Sequence, residues 1–263
     1  MRTALICHEG AHLTNEVMAR WLASFSELVG VVVIREKQVR RWKRVRREVK
    51  RVGLLRFVDV LAMRLYYYVV LARKDGRWAA SALESLRSRY PPIPPQTAVL
   101  VTPSPNSDEA KRFLQGVAPD IVVARCKVIL RPEIYTIPSR GTFVFHAGVC
   151  PEYRNAHGCF WALANNDLQR VGMTLLRIDV GVDTGPVYGY FSYAYDEVRE
   201  SHIVISHRVV LENLDALKEA LRAVFAGTAE PIDTSGRSSA AWGQPWLTRY
   251  LRWRRAARRR ARG

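Results

Sequence analysis

The sequence is poor in cysteine, with four residues at Cys7, Cys126, Cys150 and Cys159 in a chain of 263. No two of them form a C-x-x-C pair, and no histidine stands at zinc-finger spacing from two of them. We therefore expect buried, reduced thiols, as in a cytoplasmic protein, with neither a disulfide framework nor a metal site.

Long hydrophobic runs are also missing. The apolar stretch at the N-terminus is too short for a signal peptide and is typical of a first strand. The most apolar segment, 54–72, is interrupted by Arg56, Asp59 and Arg64, so it falls short of the ~20 apolar residues that a membrane span needs. We expect no membrane-crossing segment and a cytoplasmic location, with attachment to the inner face of the membrane left open.

Acidic residues are few: 24 Asp and Glu against 41 Lys and Arg give a net charge of +17. Segments 35–51 and 249–263 each carry +8, so 16 of the 17 excess charges lie in them. A solvated basic helix and a frayed tail are the ordinary interpretation. Binding to an anionic membrane surface, binding to nucleic acid and attraction of an anionic substrate are the functional alternatives, and we favour the first and the last.

Strand-like and helical stretches alternate along the rest of the chain. A strand at Thr3–Cys7, a helix capped at Thr14 or Asn15 and a strand at 29–34 form the opening of a doubly wound sheet. Further strands are predicted at 98–101, 120–124, 142–145, 171–178 and 187–193. The predicted fold class is α/β, with a Rossmann-like, mostly parallel sheet and flanking helices.

A helical insertion is predicted at about 36–90. It contains a basic helix at 36–51 and an amphipathic helix at 54–74. The sheet pattern resumes only after the proline-rich stretch 91–95, which should form a stiff connector.

The end of the chain is predicted to contain one long helix, from about Glu197 to Phe225. This helix closes an α/β domain that covers 1–226. Residues 227–263 are then a C-terminal extension with an arginine-rich basic tail.

Two strand ends carry side chains suited to chemistry. His146 ends the strand 142–145, and Asp183 lies in the turn that follows 171–178. Ligands of open α/β sheets gather where strands end, and a histidine beside an aspartate suits proton transfer. By spacing alone, a packed histidine and an ordinary aspartate turn are equally good interpretations.

The order of motifs around these residues resembles the folate-dependent formyltransferases, the family of glycinamide ribonucleotide, methionyl-tRNA and amino-sugar formyltransferases. His146 matches the family histidine, and Asp183 with Gly185 matches its Asp-x-Gly motif. The matching loop and folate-pocket positions are Pro151, Tyr153, Arg154, 118–123 and 129–133. The resemblance covers 98–200 well and 1–34 in outline.

This resemblance implies an enzyme that transfers a formyl group from 10-formyltetrahydrofolate to an amine of a small, anionic acceptor. In the family, an asparagine and the histidine stabilise the oxyanion of the tetrahedral intermediate, and the aspartate manages the protons; these roles fall on His146 and Asp183. The implied folate-binding residues are Arg125, Cys126, Lys127, Ile129, Leu130 and Gly185. The implied substrate-binding residues are Gly10, Tyr153 and Arg154, although a single glycine at the first turn is equally typical of a plain strand–helix connection.

One residue departs from the family pattern: Val144 stands where the family asparagine is expected. A valine cannot donate a hydrogen bond, and loss of one oxyanion donor typically costs ~10²–10³ in rate. Asn155 or His157 can replace the donor, or the acceptor amine reacts with His146 alone. Alternatively, the protein hydrolyses the formyl group or is a non-catalytic basic binding module.

Asn155 and His157 also form an Asn-x-His motif of their own. No strand leads into it, so His146 remains the preferred family histidine. Taken singly, the two residues are typical of a turn and of a helix start.

Overall fold

A computed structural model describes residues 1–10, 12–35 and 39–262. Its main sheet consists of strands β1 (Arg2–His8), β2 (Glu27–Ile34), β3 (Ala98–Thr102), β4 (Ile121–Arg125), β5 (Gly141–His146), β7 (Met173–Arg177) and β8 (Val187–Phe191). The strand order is β3-β2-β1-β4-β5-β7-β8. The first five strands in this order pair in parallel, and β7 and β8 are antiparallel. The predicted fold class is confirmed.

Helices cover both faces of this sheet. They are α1 (His12–Ala23), α2 (Val39–Val52), α3 (Leu54–Tyr66), α4 (Ala72–Arg89), α5 (Asp108–Val117), α6 (Pro132–Tyr135), α7 (Gly158–Ala164), α8 (His202–Leu211), α9 (Leu214–Ala226) and α10 (Leu247–Arg260). A small second sheet pairs β6 (Arg154–Asn155) in parallel with β9 (Ala241–Trp242).

The centre of the fold is β1, which lies between β2 and β4. Successive side chains of a strand point to opposite faces, so β1 contributes to two cores. Leu5 and Cys7 pack in the larger core with α1 and α7 to α10, while Ala4 and Ile6 pack in the smaller core with α5 and α6. A parallel strand covered on both faces requires a continuous apolar run, which is why 3–7 was recognisable in the sequence.

The first helix begins earlier than predicted. It starts at His12, so Thr14 and Asn15 lie inside it and do not cap it. The Asn15 side-chain amide instead donates to the His8 carbonyl and ties the helix to the end of β1. Ala11 of the predicted first turn and 36–38 of the predicted basic helix lie outside the described residues.

The second helix of the insertion is longer than predicted. The helix expected at 54–74 continues through a π-helical turn, Tyr67–Leu71, into α4, which ends at Arg89. Asp75 does not break the helix because it is buried and accepts a hydrogen bond from Ser201 Oγ at 2.6 Å. Packing of α4 against α1 and α8 therefore outweighs the helix-breaking tendency of the Asp75-Gly76 pair.

The long helix predicted at Glu197–Phe225 is wrong, because the chain forms two helices, α8 and α9. The break is at Asn213, whose amide donates to the carbonyls of Val209 at 2.8 Å and Ser192 at 3.0 Å. An asparagine side chain that satisfies helix-end carbonyls favours termination over continuation.

The arginine-rich segment at the end of the chain forms α10, a helix packed on the domain. Tyr250, Trp253 and Ala257 are buried, and Trp253 Nε1 donates to Glu197 at 2.8 Å. The helix also contacts the insertion: Tyr250 packs on Tyr66 with ring centroids 5.4 Å apart. The apolar positions of α10 therefore anchor it, although its sequence is dominated by arginine.

We expect Trp253→Ala to lower the free energy of unfolding by about 3–5 kcal/mol, because it leaves a cavity where a fully buried indole packs. Chemical denaturation followed by circular dichroism measures the loss. The matched control is Arg252→Ala at the neighbouring exposed position, expected to change stability by less than about 0.5 kcal/mol. Equal stability of the two variants would show that α10 is not part of the cooperative fold.

Candidate active site

His146 is the last residue of β5, and its ring is held between two partners. Nε2 lies 2.7 Å from the carbonyl oxygen of Tyr153. A carbonyl only accepts hydrogen bonds, so Nε2 carries a hydrogen and donates it. Nδ1 lies 3.4 Å from Oδ2 of Asp183. The second ring nitrogen of this buried imidazole therefore faces a carboxylate.

Asp183 is held in position by the loop that follows β5. Its backbone is in the left-handed region, with φ at 53°, which is uncommon for a residue other than glycine. Oδ2 accepts a hydrogen bond from the backbone N–H of Asn155 at 2.8 Å. Arg154 donates from Nη1 to the carbonyl of Val182 at 2.9 Å. The two strand ends are thus joined by direct hydrogen bonds.

Two glycines that the sequence analysis did not single out allow this arrangement. A Cβ on Gly158 would lie 2.5 Å from the Cα of Gly148, and a Cβ on Gly148 would lie 2.7 Å from Nε2 of His146. Any side chain at either position would push the backbone segments apart and displace the imidazole. The two glycines are ten positions apart in the chain, so no local sequence pattern predicts their contact.

A cavity of about 260 Å³ opens beside Asp183, at the carboxyl ends of β4 and β5. Its wall includes four of the residues expected in a folate pocket, namely Cys126, Lys127, Ile129 and Leu130. The opposite wall is the turn 179–183, which Asp179 braces by accepting hydrogen bonds from Gly181 N at 2.9 Å and Thr184 Oγ1 at 2.7 Å. The role of Asp179 was not predicted from the sequence, although its position two residues before Gly181 is typical of an aspartate that braces a turn.

Arg125 and Gly185, also expected at the folate pocket, are not on this wall. Arg125 follows Ala124, which lines the cavity, and alternation along β4 turns its side chain to the other face of the sheet. There its Nη1 is buried without a hydrogen-bond partner in the described part of the chain. Burial lowers the pKa of Arg125 to about 10. Gly185 instead closes a tight turn, where a Cβ would lie 1.9 Å from the Arg177 carbonyl.

The residues expected at a substrate site have partners within the protein. Tyr153 is buried, donates from its hydroxyl to Asp167 at 2.9 Å and stacks on Trp242. Arg154 also donates from Nε to Ser239 at 2.9 Å. These contacts fix the loop around His146. Gly10 lies in the β1–α1 turn with φ at 86°, a conformation that favours glycine.

Val144 lines the cavity at the position where a hydrogen-bond donor was expected. Asn155 also lines it, but its side-chain amide already donates to the carbonyl of Trp242. His157 precedes α7 and is not on the cavity wall. The described residues therefore present an aliphatic surface beside the imidazole–carboxylate pair.

Of three other histidines, His202 is buried, and His157 and His207 are half-buried against aromatic rings. His202 lies among aromatic rings, with its centroid 5.4 Å from Phe160 and 5.6 Å from Tyr250. Burial lowers the pKa of His157 to about 4, that of His202 to about 3 and that of His207 to about 4.

These lowered pKa values predict loss of stability in acid. The histidine pKa is 6.5 before the shift, so below that pH the unfolded chain binds protons that the folded chain does not. Stability present above pH 6.5 is then lost as the pH falls towards the folded pKa, by about 2 kcal/mol per histidine at pH 5. His202→Phe should reduce the loss measured by denaturant titration between pH 7 and pH 5. An unchanged loss would show that His202 does not titrate on unfolding.

No family model matches the chain. Among curated proteins, the methionyl-tRNA formyltransferase of Anaeromyxobacter dehalogenans is 33% identical over 154 residues, which is 56% of this chain and 47% of that protein. The methionyl-tRNA formyltransferase of Mycolicibacterium gilvum is 38% identical over 119 residues, 45% of this chain and 36% of that protein. The chain thus spans about half or less of the length of these relatives.

Solved structures share the fold. A sugar N-formyltransferase from a Shewanella species superposes with a TM-score of 0.54 at 15% identity, over 92% of this chain and 77% of that one. Glycinamide ribonucleotide transformylase 1 from Symbiobacterium toebii superposes with a TM-score of 0.53 at 13% identity, over 89% and 94%. The sequence and fold comparisons confirm the resemblance deduced from the motifs.

Proposed function

We propose, for a chain that resembles the formyltransferases in sequence and shares their fold, that it transfers a formyl group from 10-formyltetrahydrofolate to the amine of a small, anionic acceptor. The observation that carries the proposal is the contact between His146 and Asp183 beside the cavity formed by the β4 loop. An imidazole and a carboxylate at the mouth of a cavity are suited to moving protons during acyl transfer.

The cavity suits one end of a folate better than the whole molecule. At about 260 Å³ it is near the lower end of ligand pockets, which begin at roughly 300 Å³. Its apolar wall, with Val128, Ile129, Leu130 and Val144, can hold a bicyclic pterin ring. Lys127, which is exposed at the rim, is placed to attract the carboxylates of the glutamyl tail. A 10-formyltetrahydrofolate bound there would supply the formyl carbon: the acceptor nitrogen would form a bond to it, the bond from that carbon to N10 would break, and tetrahydrofolate would leave with a proton on N10.

The chain's own residues then handle the protons. Asp183 accepts one hydrogen bond from the Asn155 backbone, which leaves its other oxygen able to take a proton from the amine. His146 is held by the Tyr153 carbonyl through Nε2, so only Nδ1 can exchange a proton with Asp183. The separation of 3.4 Å is long for a hydrogen bond, as catalytic pairs often are without substrate.

An anionic acceptor is supported by the excess of positive charge, since 41 Lys and Arg against 24 Asp and Glu give the chain a net charge of +17. A strongly cationic protein attracts anionic substrates and raises their local concentration. Sugar nucleotides and ribonucleotides carry anionic groups of this kind.

We expect His146→Gln and Asp183→Asn each to reduce formyl transfer by about 10²-fold or more, because each removes a proton-handling group. Turnover of 10-formyltetrahydrofolate with a panel of amino-sugar nucleotides and glycinamide ribonucleotide measures the effect. Glu230→Gln, at an exposed carboxylate outside the cavity, is the matched control. Calorimetric titration with a stable 10-formyltetrahydrofolate analogue reports binding separately. Full activity in both variants, or no binding of the analogue by the native chain, would overturn the proposal.

A second candidate function, hydrolysis of the formyl group, is favoured by Val144 alone. The valine on the cavity wall supplies no donor at the position where the family pattern has an asparagine, and a change of the attacking group from an amine to water would account for that departure. Hydrolysis would be detected as release of formate from 10-formyltetrahydrofolate in the absence of an amine acceptor.

Replacing the valine separates the two functions. We expect Val144→Asn to raise transfer to an amine by about 10²-fold, because an amide can donate to the developing oxyanion. The ratio of formylated amine to free formate measures this, with Val144→Ala as a control that introduces no hydrogen-bond donor. Formate release that rises while amine transfer stays flat would favour hydrolysis.

A further inference from the structure

The helix that runs through α3 and the π-helical turn has apolar side chains on two faces. One face is buried: Val60 and Met63 pack into the domain. The other face is exposed to solvent, although its side chains are aliphatic except for one tyrosine. We call it the outer stripe, and its residues are Leu55, Val58, Leu61, Leu65, Tyr68 and Val69.

The side chains of the outer stripe are unusually exposed to solvent for apolar residues. Its side chains are between 46% and 91% accessible, with Leu55 at 91% and Val69 at 75%. Spacings of three and four residues place them along one helix face, about 20 Å in length at 1.5 Å per residue. Soluble surfaces rarely leave so much contiguous apolar area without a binding role.

Positive charge surrounds the outer stripe. Arg64, Arg73 and Arg77 are exposed on the same helical stretch. The two acidic residues of 54–77 are both engaged inward: Asp59 accepts from the backbone N–H of Thr248 at 3.0 Å, and Asp75 is buried against Ser201. The segment 35–51, with its net charge of +8, directly precedes this helix. The surface thus combines an apolar centre with a cationic border.

We propose that the outer stripe docks this protein on the surface of an anionic lipid bilayer, with the helix lying in the plane of the interface. The leucine and valine side chains enter the acyl boundary, while the flanking arginines contact lipid phosphates. Tyr68, near the end of the stripe, is a residue type that favours the headgroup level. No helix among the described residues is long and apolar enough to cross the bilayer, so the contact is with one leaflet.

Charge argues against a second copy of the chain as the occupant. Two outer stripes in contact would bring their arginine borders together. In the sequence of each copy, the segment 35–51, with a net charge of +8, directly precedes this helix. Like charges at a desolvated interface oppose association, whereas the same charges attract an anionic surface. Lipid therefore satisfies both the apolar and the charged part of the surface.

The test is liposome flotation of the full chain. Vesicles of equal parts phosphatidylglycerol and phosphatidylcholine should carry the protein at low salt, and pure phosphatidylcholine vesicles should carry much less. The double variant Leu55→Gln, Leu65→Gln should lower partition to the anionic vesicles by about tenfold or more, because it removes buried apolar area but no charge. Raised salt should weaken the native interaction.

The matched control is Val99→Gln, Val101→Gln on the exposed edge strand β3, which should bind as the native chain does. Circular dichroism confirms that both double variants fold. Three results would overturn the proposal: no native binding to anionic vesicles at low salt, equal binding by the outer-stripe variant, or a native dimer in lipid-free solution that this variant abolishes. The last result would assign the surface to a second copy.

Discussion

The site depends on one close approach of the backbone to itself. Gly148 and Gly158 meet with no room for a side chain between them, and this brings the Tyr153 carbonyl to His146. The same loop delivers the Asn155 backbone N–H to Asp183. Because one folded loop contacts both side chains, the imidazole and the carboxylate are positioned together, and a shift of the loop would disturb both.

The two basic segments of the sequence, 35–51 and 249–263, adjoin different parts of the chain. In α10, arginines are used as structural donors: Arg254 donates to the carbonyls of Val198 and Glu200, and Arg260 pairs with Glu197. Part of its charge is thereby committed to holding the domain. The other basic segment precedes α3 in the chain, and α3 has an apolar surface that the described residues leave open. The net charge of a segment therefore does not tell how much of that charge is free for a partner.

Much of the fold could be predicted from the sequence because its central strands are continuous apolar runs. The helices were harder, since their limits depend on single tertiary contacts. Asn213 breaks a helix by donating to Val209 and Ser192, and Asp75 is tolerated within a helix because Ser201 meets it. Neither contact is visible in local periodicity.

The candidate site was likewise only partly predictable from the sequence. The motif order anticipated that His146 and Asp183 come together, but not how: β5 and β7 are antiparallel, so their carboxyl ends lie at opposite edges of the sheet, and the loop after Arg177 returns Asp183 to His146. Strand alternation contained the signal that Arg125 points away from the cavity, but the motif match concealed it. The glycine contact at Gly148 required knowledge of how the loop folds back.

The insertion and the C-terminal extension are interlocked at several points. Thr248 donates a hydrogen bond to Asp59, Tyr250 packs against Tyr66 with their rings tilted, and the backbone of Gln244 donates to Glu48 at 3.3 Å. Each segment thus covers surface that the other would otherwise expose to water. The two segments are therefore expected to open together, as one cooperative unit packed on the sheet.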